Sequence, residues 1–174
     1  MSLNSPSFFG GSAPSANDRT IQSGTFGGIT GNSIMFEQSP AKDGGQTITF
    51  SFSKTVYELS FNITDIDNGL DDNGIFAWAD RIVIVSPKTY NYTVPIGSSV
   101  IGDGTSVGTT AISGPFRNNN NLNYDNSSPA GNILISVPGP LTSFTFTLSS
   151  AAGGSSSQRT TLGNISFKEC ENKA

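Results

Sequence analysis

Apolar and polar side chains alternate along most of this chain with a period of two. In Thr47-Ile48-Thr49-Phe50-Ser51-Phe52-Ser53 the apolar positions are Ile48, Phe50 and Phe52; from Tyr57 onward they are Tyr57, Leu59, Phe61 and Ile63. Successive side chains of an extended strand point to opposite faces, so each run predicts a strand with one buried face. Lys54-Thr55 falls between the two runs and predicts a hairpin joining them.

The same pattern predicts strands elsewhere. Ser33 to Glu37 reads as a short strand. Arg81 to Ser86 is apolar on both parities, which suits a central strand covered on both sides. Tyr90 to Val94 is bracketed by Pro87 and Pro95 and reads as an edge. Val100-Ile101 and Val107 to Ile112 are weaker. Asn132 to Val137 and Thr142 to Ser149 return to clear alternation, with Phe144, Phe146 and Leu148 inward. The closing segment Thr160 to Cys170 changes parity between Leu162 and Ile165, and a bulge at Gly163-Asn164 reconciles its two sides. No segment sustains a helical period. Nine to eleven short strands with turn signals between them predict an all-β, two-sheet antiparallel sandwich, jelly-roll-like. The expected core holds Ile48, Phe50, Phe52, Leu59, Phe61, Ile63, Phe144, Phe146 and Phe167. Residues 1–17, rich in Ser, Pro, Gly and Asn, read as a loosely held arm whose Phe8-Phe9 docks on the core, with one domain over 18–174.

One stripe ends unusually. Asp65 and Asp67 continue the parity of Leu59, Phe61 and Ile63, so two carboxylates should point the way the core side chains do. An uncompensated buried carboxylate is costly, so these should be paired, bonded to backbone amides or bound to a cation. The loop after them, Asp65-Ile66-Asp67-Asn68-Gly69-Leu70-Asp71-Asp72-Asn73-Gly74, with Asp80 following, supplies the oxygens that calcium takes six to eight of. Asp65, Asp67, Asp71, Asp72 and Asp80 are therefore the candidate calcium ligands. The EF-hand spacing is absent: Gly69 comes one place early and no glutamate closes a twelve-residue loop. Asp, Asn and Gly are also ordinary turn residues, so a hydrogen-bonded turn competes with the cation, and pairing with Arg81 is a third possibility.

Composition narrows the function. The 174 residues carry only 13% charged side chains and a net charge of −4, with no Lys/Arg cluster. Nucleic acid needs a basic face and is not expected as a partner. No apolar stretch is long enough to span a membrane, so no membrane insertion is expected. Met1-Ser2-Leu3 does not open a targeting leader, and any export signal is expected to have been removed. There is no His, and Cys170 is the single Cys. This removes the commonest general base, the Ser-His-Asp and Cys-His arrangements and an internal disulfide. Paired carboxylates across a cleft can hydrolyse glycosides without His. Here, however, the aspartates crowd one loop, Glu58 has the outward parity of its strand, and no catalytic residue is expected.

Binding is better supplied. The loop from Asn118 to Asn126, with Asn121, Tyr124 and Asp125, offers amides for sugar hydroxyls and an aromatic face for stacking. Trp78, the only tryptophan, lies beside the acidic loop. Trp78, Asn121, Tyr124 and Asp125 are thus the candidate ligand-binding residues, against the plainer alternative that Trp78 is core and the Asn run a polar loop. Four Asn-x-Ser/Thr sequons, at Asn62, Asn91, Asn126 and Asn164, are expected by chance in so Asn/Ser/Thr-rich a chain. Lys54 or Lys168 with Asn62 or Asn164 are formal partners for an isopeptide bond, although an exposed lysine is the commoner case.

Phe61-Asn62-Ile63-Thr64-Asp65-Ile66-Asp67, then Asp80-Arg81-Ile82-Val83-Ile84, then Leu162-Gly163-Asn164-Ile165-Ser166-Phe167 resembles secreted or wall-attached bacterial surface modules of adhesin-like, jelly-roll type over residues 45 to 170. The resemblance implies an extracellular or cell-surface location and a binding or structural role in a larger surface protein, with a glycan or a host or cell-surface protein as partner and a structural cation. The alternative is a carbohydrate-binding module accompanying a secreted glycan-active enzyme. Exposure of Trp78 and Tyr124 on one concave face would favour that alternative.

Overall fold

A computed structural model describes residues 1–39, 41–70, 73–102, 116–118, 120, 122–153 and 157–169. Its strands are β1 (Ser2–Leu3), β2 (Ser7–Phe9), β3 (Ala13–Pro14), β4 (Thr20–Phe26), β5 (Ile29–Ser39), β6 (Gly45–Thr64) and β7 (Asn68–Leu70). They continue as β8 (Phe76–Val85), β9 (Asn91–Thr93), β10 (Val100–Ile101), β11 (Arg117–Asn118), β12 (Ile133–Val137), β13 (Leu141–Ser150) and β14 (Gln158–Glu169). The only helical turn among the described residues is a single 3₁₀ turn at Pro129–Gly131. The architecture is the expected all-β, two-sheet antiparallel sandwich of jelly-roll-like form.

The two alternating runs at 47–53 and 57–63 do not form a hairpin. They are one strand of 20 residues, β6, that passes from one layer into the other. Its first half lies between β13 on one side and β1 and β2 on the other, with Phe50 opposite Phe144 and Ser51 opposite Ser2. Its second half lies between β12 and β14, with Phe61 opposite Ile135 and Ile63 opposite Leu162. Where the strand changes layers, Ser53, Lys54 and Thr55 are exposed and Glu58 has φ 50°. That left-handed residue shifts the buried parity from Ile48, Phe50 and Phe52 to Leu59, Phe61 and Ile63, so both halves keep their apolar side inward. An irregular residue costs less than the loop and the unpaired backbone that a hairpin would need here. Tyr57, expected inward with its neighbours, is half-buried at this shift.

Phe144 of β13 joins the layers. Its ring stacks on Phe50 at 4.6 Å and on Phe61 at 4.9 Å, so both halves of β6 meet one side chain. Phe36 of β5 meets Phe146 at 5.0 Å, and Phe52 meets Phe167 edge-on at 5.1 Å. The expected core residues are buried, apart from Phe167, which is half-buried against the core.

β4 and β5 form a hairpin that the alternation did not reveal, with Phe26 opposite Ile29 across Gly27-Gly28. Both glycines have positive φ, 59° and 74°, as a two-residue hairpin turn requires. That Gly-Gly pair was the available signal. The bulge expected at Gly163-Asn164 is present: the register against β6 slips there and Asn164 has φ 51°. Among the described residues β9 pairs with β12 alone, an edge position as its flanking prolines suggested. β8 departs from expectation: Ile82 and Ile84 face the core, but Val85 is 38% exposed, so only one side is covered. Residues 1–17 contribute β1 and β2 beside β6 and β3 beside β5, with Phe8 half-buried. Val107 to Ile112 lies outside the described residues. Lys54 and Lys168 are exposed and paired with Glu169 and Glu58, at 3.4 and 2.6 Å, instead of facing an asparagine in the interior.

Candidate functional site

β6 ends at Thr64, and the chain turns into the acidic loop through Asp65, which has φ 65°. A left-handed Asp is among the less costly ways to leave a strand, because its short side chain tolerates that conformation. Ile66 is anchored by its N–H on the Gly131 carbonyl at 3.0 Å. Asp65, Ile66, Asp67 and Asn68 are all buried. The burial expected for Asp65 and Asp67 is therefore present, but alternation is not its cause, since both parities are covered here.

Asp67 organises this end of the sandwich. One carboxylate oxygen accepts the Trp78 indole N–H at 3.2 Å, and the other accepts the Tyr124 backbone N–H at 2.8 Å. Two candidate binding residues, 46 positions apart, are thus held together by a candidate metal ligand. Asp80, 1% exposed, accepts the Asp67 N–H at 3.0 Å on one oxygen and the Gln158 side-chain amide at 2.7 Å on the other. Gln158 itself accepts from the buried Gln38 amide, so a polar thread runs from the loop into the interior. Asp65 faces Arg159 at 3.7 Å; the pairing is electrostatic, because the buried Arg159 Nε makes no hydrogen bond and Nη2 donates to Asn126 instead, at 3.3 Å.

Three buried acids in one place perturb one another. Burial pushes the Asp65 carboxyl up to about 7, the Asp67 charge adds to the rise, and Arg159 opposes it. Burial likewise raises Asp67 against the pull of its Tyr124 and Trp78 donors, and holds Asp80 well above the usual carboxylate range, with the Asp67 charge reinforcing it. Among the described residues no group of three or more Asp, Glu, His or Cys is arranged to hold a metal ion. A cation would also have to compete with the four donors that Asp67 and Asp80 already accept. Asp71 and Asp72 lie outside the described residues, as does Cys170.

The expected ligand-binding residues are distributed as follows. Trp78 is half-buried, with its ring over Gly69, where any side chain would run into the indole. Tyr124 is half-buried and its hydroxyl accepts from the Asn120 amide at 2.8 Å. Asp125 is exposed and accepts from the Ser127 N–H and hydroxyl, at 2.9 and 2.6 Å, which lowers its pKa. Asn121 lies outside the described residues.

Next to the acids lies an open pocket of about 470 Å³, lined by Asn68, Ala79, Asp80, Arg81, Arg117, Asn118 and Ala151. None of Trp78, Tyr124 and Asp125 lines it. Sequence patterning did not mark Arg117 for this pocket, because it is a lone charge in a polar stretch, whereas Asn118 opens the loop expected to bind sugar. Ile82 and Phe116 exchange both backbone hydrogen bonds, at 2.9 and 2.8 Å, as an isolated antiparallel bridge. The register through this bridge brings Arg117 across from Arg81. Asn118 is fixed in the wall, donating to the Ile66 carbonyl at 2.9 Å and the Ala130 carbonyl at 3.3 Å. Asn68 donates to the Asn120 carbonyl at 2.9 Å. The pocket is therefore a polar recess whose described lining holds guanidinium and amide groups and, of groups suited to acid-base work, the internally bonded Asp80.

No protein-family model matches this chain, and no curated protein matches it. Two solved structures resemble it. One is a family 11 carbohydrate-binding module of a cellulosomal cellulase of Clostridium thermocellum: 15% identity, 100% of this chain and 92% of that one covered, TM-score 0.36. The other is a family 11 module from the same organism in complex with a β-1,3-1,4-mixed-linked tetrasaccharide: 15% identity, 95% and 87% covered, TM-score 0.34. Both belong to the class named above as the alternative to an adhesin. At these scores the likeness carries no argument about what this chain binds.

Proposed function

We propose that this chain is a non-catalytic, extracellular carbohydrate-binding module that takes a glycan in the pocket between Arg81 and Arg117. The observation that carries this reading is the pocket itself. It presents two guanidinium groups in walls fixed by side-chain amides bonded to backbone carbonyls, and such pre-formed recesses with few convergent polar groups are where ligands bind. The lack of His anywhere in the chain supports binding without turnover. No observation favours the adhesin-like reading or a host-protein partner.

Native gel electrophoresis through gels containing soluble polysaccharides tests the proposal. The expected result is retardation by at least one glycan, loss of that retardation in Arg117→Ala, and no release of reducing ends from the bound polymer. Unretarded migration in neutral and acidic polysaccharides alike would overturn it.

A further inference from the structure

From the charge and register of the same pocket we infer that its ligand is an acidic polysaccharide carrying carboxylate groups, an inference that rests on the glycan-binding reading. Arg81 and Arg117 stand on neighbouring segments, opposite one another one step beyond the Ile82–Phe116 bridge, and line one recess. Like charges opposite one another on a ladder are destabilising, so such a pair calls for an anion between or beside them. Among the described residues Arg81 has one ion-pair partner, the exposed Asp43 at 3.3 Å. Exposed ion pairs of that kind are weak and readily exchanged for a ligand carboxylate. Arg117 is exposed and has no ion pair among the described residues. The planar guanidinium fork matches a carboxylate with two parallel hydrogen bonds, which favours a uronate over a point-like anion.

Two further features point the same way. Among the described residues no aromatic side chain lines the recess, so none of them supplies the stacking platform on which a neutral sugar ring depends. Asp80, the one acid in the lining among the described residues, is buried and turns its oxygens inward to the Asp67 N–H and the Gln158 amide, so it opposes an incoming anion less than an exposed carboxylate would. Asn68 and Asn118 in the same lining already give their amides to backbone carbonyls, so recognition falls to the two guanidinium groups.

The test is isothermal titration with polygalacturonate, with its methyl-esterified form, with a neutral β-glucan and with dextran sulfate, each at low and high NaCl. Polygalacturonate should bind, methyl esterification should abolish binding, and high salt should weaken it, because exposed charge pairs are screened. Arg117→Ala should weaken it about tenfold or more, the usual scale for losing a charged hydrogen-bond partner, with Arg117→Lys falling between. The thermal midpoint of Arg117→Ala should match the parent, since the side chain is exposed. Equal binding of the neutral glucan, insensitive to salt but lost in Arg117→Ala, overturns the acidic-ligand inference and leaves the glycan reading standing, whereas binding insensitive to Arg117→Ala overturns both. Dextran sulfate bound as well as polygalacturonate overturns the carboxylate assignment. Failure of all four polymers to bind overturns both readings.

Discussion

Replacing Asp65 by Asn removes a buried charge while keeping shape and backbone, since Asn tolerates the φ of 65° at this position at least as well as Asp. The residue is 7% exposed, and its carboxyl is pushed from 3.8 up to about 7 by burial and by the Asp67 charge. An acid whose folded pKa exceeds its unfolded one contributes stability that is fully present below the unfolded value and is lost as pH rises toward the folded one. A rise from 3.8 to about 7 corresponds to about 4 kcal/mol, lost between those two pH values. In a chain of this size that is roughly 8–16 °C in thermal midpoint. The assay is urea unfolding of the parent and Asp65→Asn from pH 4 to pH 8, followed by Trp78 fluorescence. Other carboxylates titrate in both proteins, so the difference between the two curves isolates Asp65. The variant should gain on the parent steadily as pH rises and should be the more stable at pH 8. If the difference is flat, or the parent gains on the variant with rising pH, the Arg159 charge at 3.7 Å outweighs burial and the reasoning fails.

Phe61→Ala should destabilise the fold by roughly 3–5 kcal/mol, measured by chemical unfolding, because Phe61 is fully buried and stacked on the ring that joins the two layers; a loss under about 1 kcal/mol would mean the site collapses freely. Calcium and chelator should leave the melting temperature unchanged, because Asp67 and Asp80 already accept four internal donors. A calcium-dependent rise that Asp67→Asn abolishes would instead establish the cation site, since a ligand of the folded state alone stabilises it by mass action.

Much of the sandwich was legible from one dimension. Alternation over 48–52, 59–63, 133–137 and 144–148 is a local consequence of strand geometry, and it marked the strands and their inward faces without reference to any neighbour. The parity break at Leu162 and Ile165 located the bulge for the same reason. So did the cost of burying charge, which singled out Asp65 and Asp67 as residues that must have partners.

What the alternation left open is which strand lies beside which. Two runs separated by Ser53-Lys54-Thr55 read equally as a hairpin or as one bent strand; the choice depends on whether β13 and β14 are there to pair with each half. Asp67 finds Trp78 and Tyr124, Asp80 finds Gln158, and Arg81 meets Arg117 across 35 intervening residues. These contacts are set by register between strands, and register follows from how the whole core packs, which no window along the chain contains. The strands and the need to satisfy the acids were therefore written in local pattern, while the pocket exists only because the packed sheets bring isolated polar residues to one edge.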